Sequence, residues 1–224
     1  MTVIAFAASK GGVGKSTLCL LLASELAGQG MRTLVLDADP QHSSWQWAER
    51  TKTAGRLPAK MTVERIDTEK DLAKRLQSHD DADIVFVDVQ GALNQFLTIA
   101  IVASDVAIVP ARMSVIDMVE AVKIFDYGKA LRRAPLRLLI NGVKGIDQNT
   151  RGFQDALAIV RENQLPAFNT VIRARNVYEQ FSNDAGSLEA LASDPAKRDQ
   201  IDKARKNIVD LLNEVEKLLE TADA

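Results

Sequence analysis

Short apolar runs recur along the chain, and most are apolar at nearly every position instead of alternating with polar residues. They lie at Val3–Ala8, Thr33–Asp37, Thr62–Ile66, Ile84–Asp88, Val106–Pro110, Arg137–Asn141 and Ala167–Val171. Strands buried on both faces read this way, and they belong to parallel sheets covered by crossover helices. Helical periodicity occupies the stretches between them, most clearly at Lys15–Gln29, Asp71–His79, Val115–Arg132, Gln154–Asn163 and Pro195–Glu220. This alternation predicts an α/β fold, a mostly parallel sheet of about seven strands with helices on both faces. No repeat, low-complexity tract or linker interrupts it, so one domain over residues 1–224 is expected.

Composition narrows the class. With 46% hydrophobic and 26% charged residues the chain reads as globular, and no apolar run approaches the roughly 20 residues that span a bilayer. The N-terminus lacks a basic start, and its apolar stretch ends in glycines instead of a cleavage site, so a cytoplasmic protein is expected. Cys19 is the single cysteine, which excludes an internal disulfide and a Cys-only metal cluster; its neighbours Leu18, Leu20, Leu21 and Leu22 mark it as helix core. A net charge of −2 and a pI near 5.8 do not advertise nucleic-acid binding, so any such contact must come from a local patch. The last helix carries Ile208, Leu211, Leu212, Val215, Leu218 and Leu219 at helical spacing, with Asp210, Glu214, Glu216 and Glu220 among its polar positions. That acidic face is wrong for an anionic membrane and suits a helix packed on its own domain or on a partner helix.

The candidate chemistry begins where the first strand meets the first helix. Lys10-Gly11-Gly12-Val13-Gly14-Lys15-Ser16-Thr17 follows an apolar strand and opens an apolar helix, the setting a phosphate-binding loop requires. Glycines let consecutive N–H groups turn inward, and the helix N-terminus adds its positive end. Lys15 would reach the β- and γ-phosphates, and the Ser16 hydroxyl would ligate Mg²⁺. Two acids follow the second strand in Asp37-Ala38-Asp39-Pro40-Gln41; they either serve the site or cap the next helix. Ile84-Val85-Phe86-Val87-Asp88 ends in an acid suited to holding Mg²⁺, a weak signal alone because many strands end in aspartate.

Ser9 stands where the common loop pattern has glycine, and Lys10 adds a second lysine. Lys10 to Ser16 thereby resembles the deviant Walker A loop, KGGxGK[ST], of the ParA and MinD superfamily. The resemblance covers nearly the whole chain. It implies an ATPase in which Lys10 crosses a dimer interface to the partner's nucleotide, so that ATP is sandwiched in a homodimer. It further implies that Asp39 orients the attacking water, that Asp37 supports the Mg²⁺ shell, and that Gly91 is a switch glycine sensing the γ-phosphate. Pro110 and Asn141 fall where the family has a nucleotide-proximal proline and an adenine-reading asparagine, although either also fits turn chemistry.

Members of the ParA type bind DNA without sequence preference. The positions matching their basic C-terminal third are Arg173, Arg175, Lys197, Arg198, Lys203, Arg205 and Lys206, and the alternative for each is a solvated charged face. Tyr178 stands where relatives carry an arginine implicated in DNA contact. The short layout without a helix-turn-helix extension favours plasmid or chromosome partition with a ParB-like partner and nucleoid association. The segment through Trp45-Gln46-Trp47 also resembles ATPases of conjugation or T-DNA transfer, whose partner is a relaxase complex. Membrane placement of the MinD kind is disfavoured by the acidic last helix. Nitrogenase-iron-protein chemistry fails for want of a second cysteine, and a small-molecule ligase would need a substrate pocket that the sequence does not reveal.

Overall fold

The computed structural model describes residues 2–78, 81–131, 135–145, 149–183, 186–192 and 195–222. Its elements are β1 (Thr2–Phe6), α1 (Lys15–Gly28), β2 (Thr33–Ala38), α2 (Ser43–Thr53), β3 (Met61–Arg65), α3 (Glu69–Gln77), β4 (Ile84–Val89) and α4 (Gln95–Ala103). There follow β5 (Val106–Ala111), α5 (Val115–Leu131), β6 (Leu136–Val143), α6 (Arg151–Glu162), β7 (Ile172–Arg173), α7 (Asn176–Asn183), α8 (Leu188–Leu191) and α9 (Arg198–Ala222). A short 3-10 turn, Pro195–Lys197, leads into α9. The expected helix ends at His79 and Arg132 lie outside the described residues.

The strands form one sheet in the order β3-β2-β4-β1-β5-β6-β7, and every pairing is parallel. Alternate strand residues feed two cores. Ile4, Phe6, Val35, Phe86 and Ile108 pack with α1, α2, α7, α8 and α9, while Val3, Ala5, Leu34, Leu36, Val85, Val87 and Val109 pack with α3, α4, α5 and α6. This double coverage is why β1, β2, β4 and β5 are apolar on both faces.

α1 is buried at every position from Leu18 to Ala27, Cys19 included, because the sheet covers one side and α9 the other. Its Glu25, only 7% exposed, would be costly unpaired. Arg205 of α9 supplies the partner through Nε at 3.0 Å and Nη2 at 2.8 Å. α2 is pinned by Trp47, which lies 4.9 Å from the Phe181 ring and donates its indole N–H to the Phe181 carbonyl at 2.9 Å.

The seventh strand departs from expectation. Pairing at Ala167–Val171 reduces to a single bridge between Ala167 and Leu138, and the strand proper is Ile172–Arg173. The Glu214 carboxylate on α9 explains the shift, since it accepts the backbone N–H groups of Asn169 at 2.6 Å and Thr170 at 2.9 Å. Amides bound to a side chain cannot also join the ladder. Glu214→Ala is therefore expected to destabilise the fold by about 1–2 kcal/mol, read from the urea unfolding midpoint.

Candidate functional site

The predicted loop sits at the carboxyl end of central β1, where parallel sheets place their ligands. Gly14 has φ of +92° at the mouth of α1, and a Cβ there would collide with the Asn141 side chain, so this position requires glycine twice over. No side chain caps α1, which leaves its first-turn N–H groups available to an anion. Lys15 is buried to 6% exposure in that first turn.

Below the loop, β2 and β4 bring Asp37 and Asp88 into register as direct neighbours. Both are fully buried and share the sheet face of Val35 and Phe86, toward α1 and α2. Burial, and then the charge of Asp88, push Asp37 up to about 7 in spite of the N–H groups of Trp45 and Asp39 that it accepts. Burial also raises Asp88 above the ordinary carboxylate range, with Ser16, Ser44 and Lys15 only partly offsetting it. Ser44 Oγ donates to Asp88 Oδ2 at 2.7 Å, while the buried Oδ1 has no hydrogen-bond partner.

Two crowded acids and an orphaned oxygen fit a hard cation. Among the described residues no cluster of three or more His, Cys, Asp or Glu could hold a metal. A pair of carboxylates suits Mg²⁺, which takes one or two of them and completes its shell with water and substrate phosphate. The helix-capping alternative is also realised in part: Asp37 accepts the N–H of Trp45 in the first turn of α2.

Other expected residues are distributed unevenly. Asp39 follows β2, half-buried, and accepts the Gln41 N–H at 2.9 Å. Gly91 lies directly on the phosphate loop; a Cβ there would overlap the Lys10 carbonyl group and come 2.9 Å from the Gly11 nitrogen. Gly14, Thr17 and Asn141 line one cleft of about 710 Å³, into which Arg112, Arg173, Arg175 and Tyr178 also face. Asn141 donates Nδ2 to the Val13 carbonyl at 2.7 Å, so part of its amide braces the loop. Pro110 is buried in β5, paired in register with Leu139, and lines a small pocket with Lys10 and Val13 of the loop.

The basic residues do not form one patch. Arg173 and Arg175 belong to the cleft beside the loop. Arg205 is committed to Glu25, which removes it from the surface set. Lys203 and Lys206 pair with Asp199 and Asp210 one turn along α9, Arg198 is exposed at its start, and Lys197 ends the preceding turn. Tyr178 is core, its hydroxyl donating to the Ala204 carbonyl at 3.0 Å and burial pushing its pKa up to about 12. Sequence reasoning missed Ser44 and Arg112. Arg112, one residue past β5, donates to the Gly12 carbonyl at 2.5 Å; its place at a strand's carboxyl end was the available signal.

A parallel sheet that delivers a glycine loop to a helix N-terminus, beside buried strand-end acids, defines a P-loop nucleotide-binding fold. More narrowly, the chain belongs to the CobQ/CobB/MinD/ParA nucleotide binding domain family, which matches residues 4–188. It is 36% identical over 118 residues to protein ParA of Rhizobium radiobacter, covering 52% of this chain and 51% of that protein, and so spans about half its length. It is 31% identical over 189 residues to the maintenance of carboxysome distribution protein A of Gloeobacter kilaueensis, covering 83% of each. The ATP complex of a Cyanothece McdA variant shares the fold with a TM-score of 0.75 at 18% identity, over 96% of each chain.

The two raised acids carry a pH signature. Between the ordinary carboxylate range and about pH 7 the folded protein keeps a proton on Asp37 that the unfolded chain has released. Stability of the metal-free protein should therefore fall as pH rises through that window, and saturating Mg²⁺ with an ATP analogue should flatten the fall. Asp37→Asn should remove much of the slope, as read from urea midpoints across pH.

Proposed function

We propose that this chain is an ATP-hydrolysing switch that positions a cargo on DNA, cycling between a nucleotide-sandwich homodimer and a released form. The observation that carries the reading is Lys10, a second lysine on the phosphate loop, set at its rim while Lys15 is buried at the head of α1. The names of two relatives, ParA and the carboxysome distribution protein, support a positioning role.

In this reading the loop amides and Lys15 would hold the β- and γ-phosphates, and Ser16, Asp37 and Asp88 would hold Mg²⁺. The bound cation would neutralise charge developing on the phosphates. Asp39 orients the attacking water from the end of β2, and Lys10 reaches the partner's nucleotide. Gly91, lying on the loop backbone, transmits loss of the γ-phosphate to the segment after β4. Asn141 and the cleft around it receive the base. Arg198, Lys203 and Lys206, with Lys197, are the proposed phosphate contacts for DNA; Arg173 and Arg175 line the cleft beside the loop, which supports nucleotide contact as readily as DNA contact. A ParB-like protein would stimulate hydrolysis in partition and a relaxase complex in transfer.

Lys15→Ala is expected to abolish nucleotide binding. Asp39→Ala, with ATP, should accumulate as a dimer retained on DNA, while wild type with ADP should not be retained. Retention should fall steeply with salt, by a slope near −0.9 per neutralised phosphate. Equal retention with ADP and ATP would remove the switch.

A further inference from the structure

Lys10 is held within its own chain. Its ammonium is ion paired with the carboxylate of Asp117, in the first turn of α5; the lysine side chain keeps 39% exposure while Asp117 keeps 5%. Asp117 is itself fixed locally, its N–H donating to Ser114 Oγ at 3.2 Å. The loop touches α5 a second time, where Ser9 Oγ donates to the Glu120 carbonyl at 3.3 Å. From the other side Gly91 packs on the Lys10 carbonyl. The lysine is thus tethered at its head by α5 and at its backbone by the segment that follows β4.

We propose that Asp117 is a cis latch on Lys10, setting how readily the nucleotide-loaded chain pairs with a second copy of itself. The inference rests on the reading of Lys10 as a ligand in trans. An ammonium drawn across a dimer interface to a partner's phosphates must loosen or give up its contact with the Asp117 carboxylate on its own chain, so the two compete for it. Only the fraction of molecules with the latch open can engage, so the apparent dimer constant is weakened by that fraction. A triphosphate offers the lysine more negative charge than a diphosphate, so the competition with Asp117 shifts toward the partner when ATP is bound and back when it is hydrolysed. The latch therefore suppresses pairing most where the competing ligand is weakest, in the ADP state.

The test compares wild type, Asp117→Asn, Lys10→Ala and the double variant by sedimentation with a non-hydrolysable ATP analogue or ADP. Nucleotide binding is measured alongside on dilute monomer, and thermal melting reports folding. Asp117→Asn should dimerise roughly fivefold more tightly with the ATP analogue and show a gain with ADP, at unchanged monomer affinity for nucleotide. Lys10→Ala should lose dimer, and the double variant should regain none, because the latch acts only through Lys10. If Asp117→Asn melts early, Asp117→Ala in a helix-compatible position should give the same tightening. Dimerisation by the Asp117 variants equal to or weaker than wild type, with Lys10→Ala still defective, overturns the latch and spares the sandwich. Wild-type dimerisation by Lys10→Ala overturns the sandwich and the latch with it.

Discussion

Asp37 and Asp88, buried side by side at the ends of β2 and β4, are the constraint around which the site is arranged. Burial raises the pKa of both carboxylates, and the charge of Asp88 raises Asp37 further. The surrounding structure answers in kind. Ser44 donates to Asp88, the N–H groups of Trp45 and Asp39 donate to Asp37, and Lys15 is buried close by. These contacts do not satisfy every oxygen, and Asp88 Oδ1 stays unpaired. A site that holds such a pair in the core is suited to stabilisation by a cation and to coupling that cation with whatever the loop binds above it.

Placement follows from topology. Central β1 carries the loop, its neighbour β4 carries Asp88, and β2 beyond it carries Asp37. The three functional segments therefore converge at one edge of a rigid sheet. α2 begins immediately after the Asp37–Asp39 segment, so its first turn touches both acids through Ser44 and Trp45, and Trp47 anchors its other side on Phe181 of α7. α2 is thereby packed between the strand-end acids and α7.

Much of this was legible in the sequence because it is written in local pattern. β1, β2, β4 and β5 are apolar on both faces, the glycine loop precedes an apolar helix, and both acids stand at strand ends. What was not legible depends on residues distant in sequence. The seventh strand moved because Glu214, 45 residues from Asn169, takes its amide. Arg205 looked like a surface cation until Glu25, 180 residues away, claimed it. α2 buries only Ser44, Trp47, Ala48 and Thr51, too sparse a stripe to announce a helix. Asp117, an ordinary acid in a helix's first turn by sequence, gains its meaning only from the lysine opposite.

If the buried acid pair, carrying a proton on Asp37 without metal, becomes a charged cation site when nucleotide binds, binding must release that proton. Calorimetric titration with a non-hydrolysable ATP analogue near pH 6.5, with and without Mg²⁺ and in buffers of different ionisation enthalpy, tests it by counting protons. Mg²⁺-dependent proton release on binding, lost in Asp37→Asn, is expected. Binding of equal affinity without Mg²⁺ and with no proton released would contradict it.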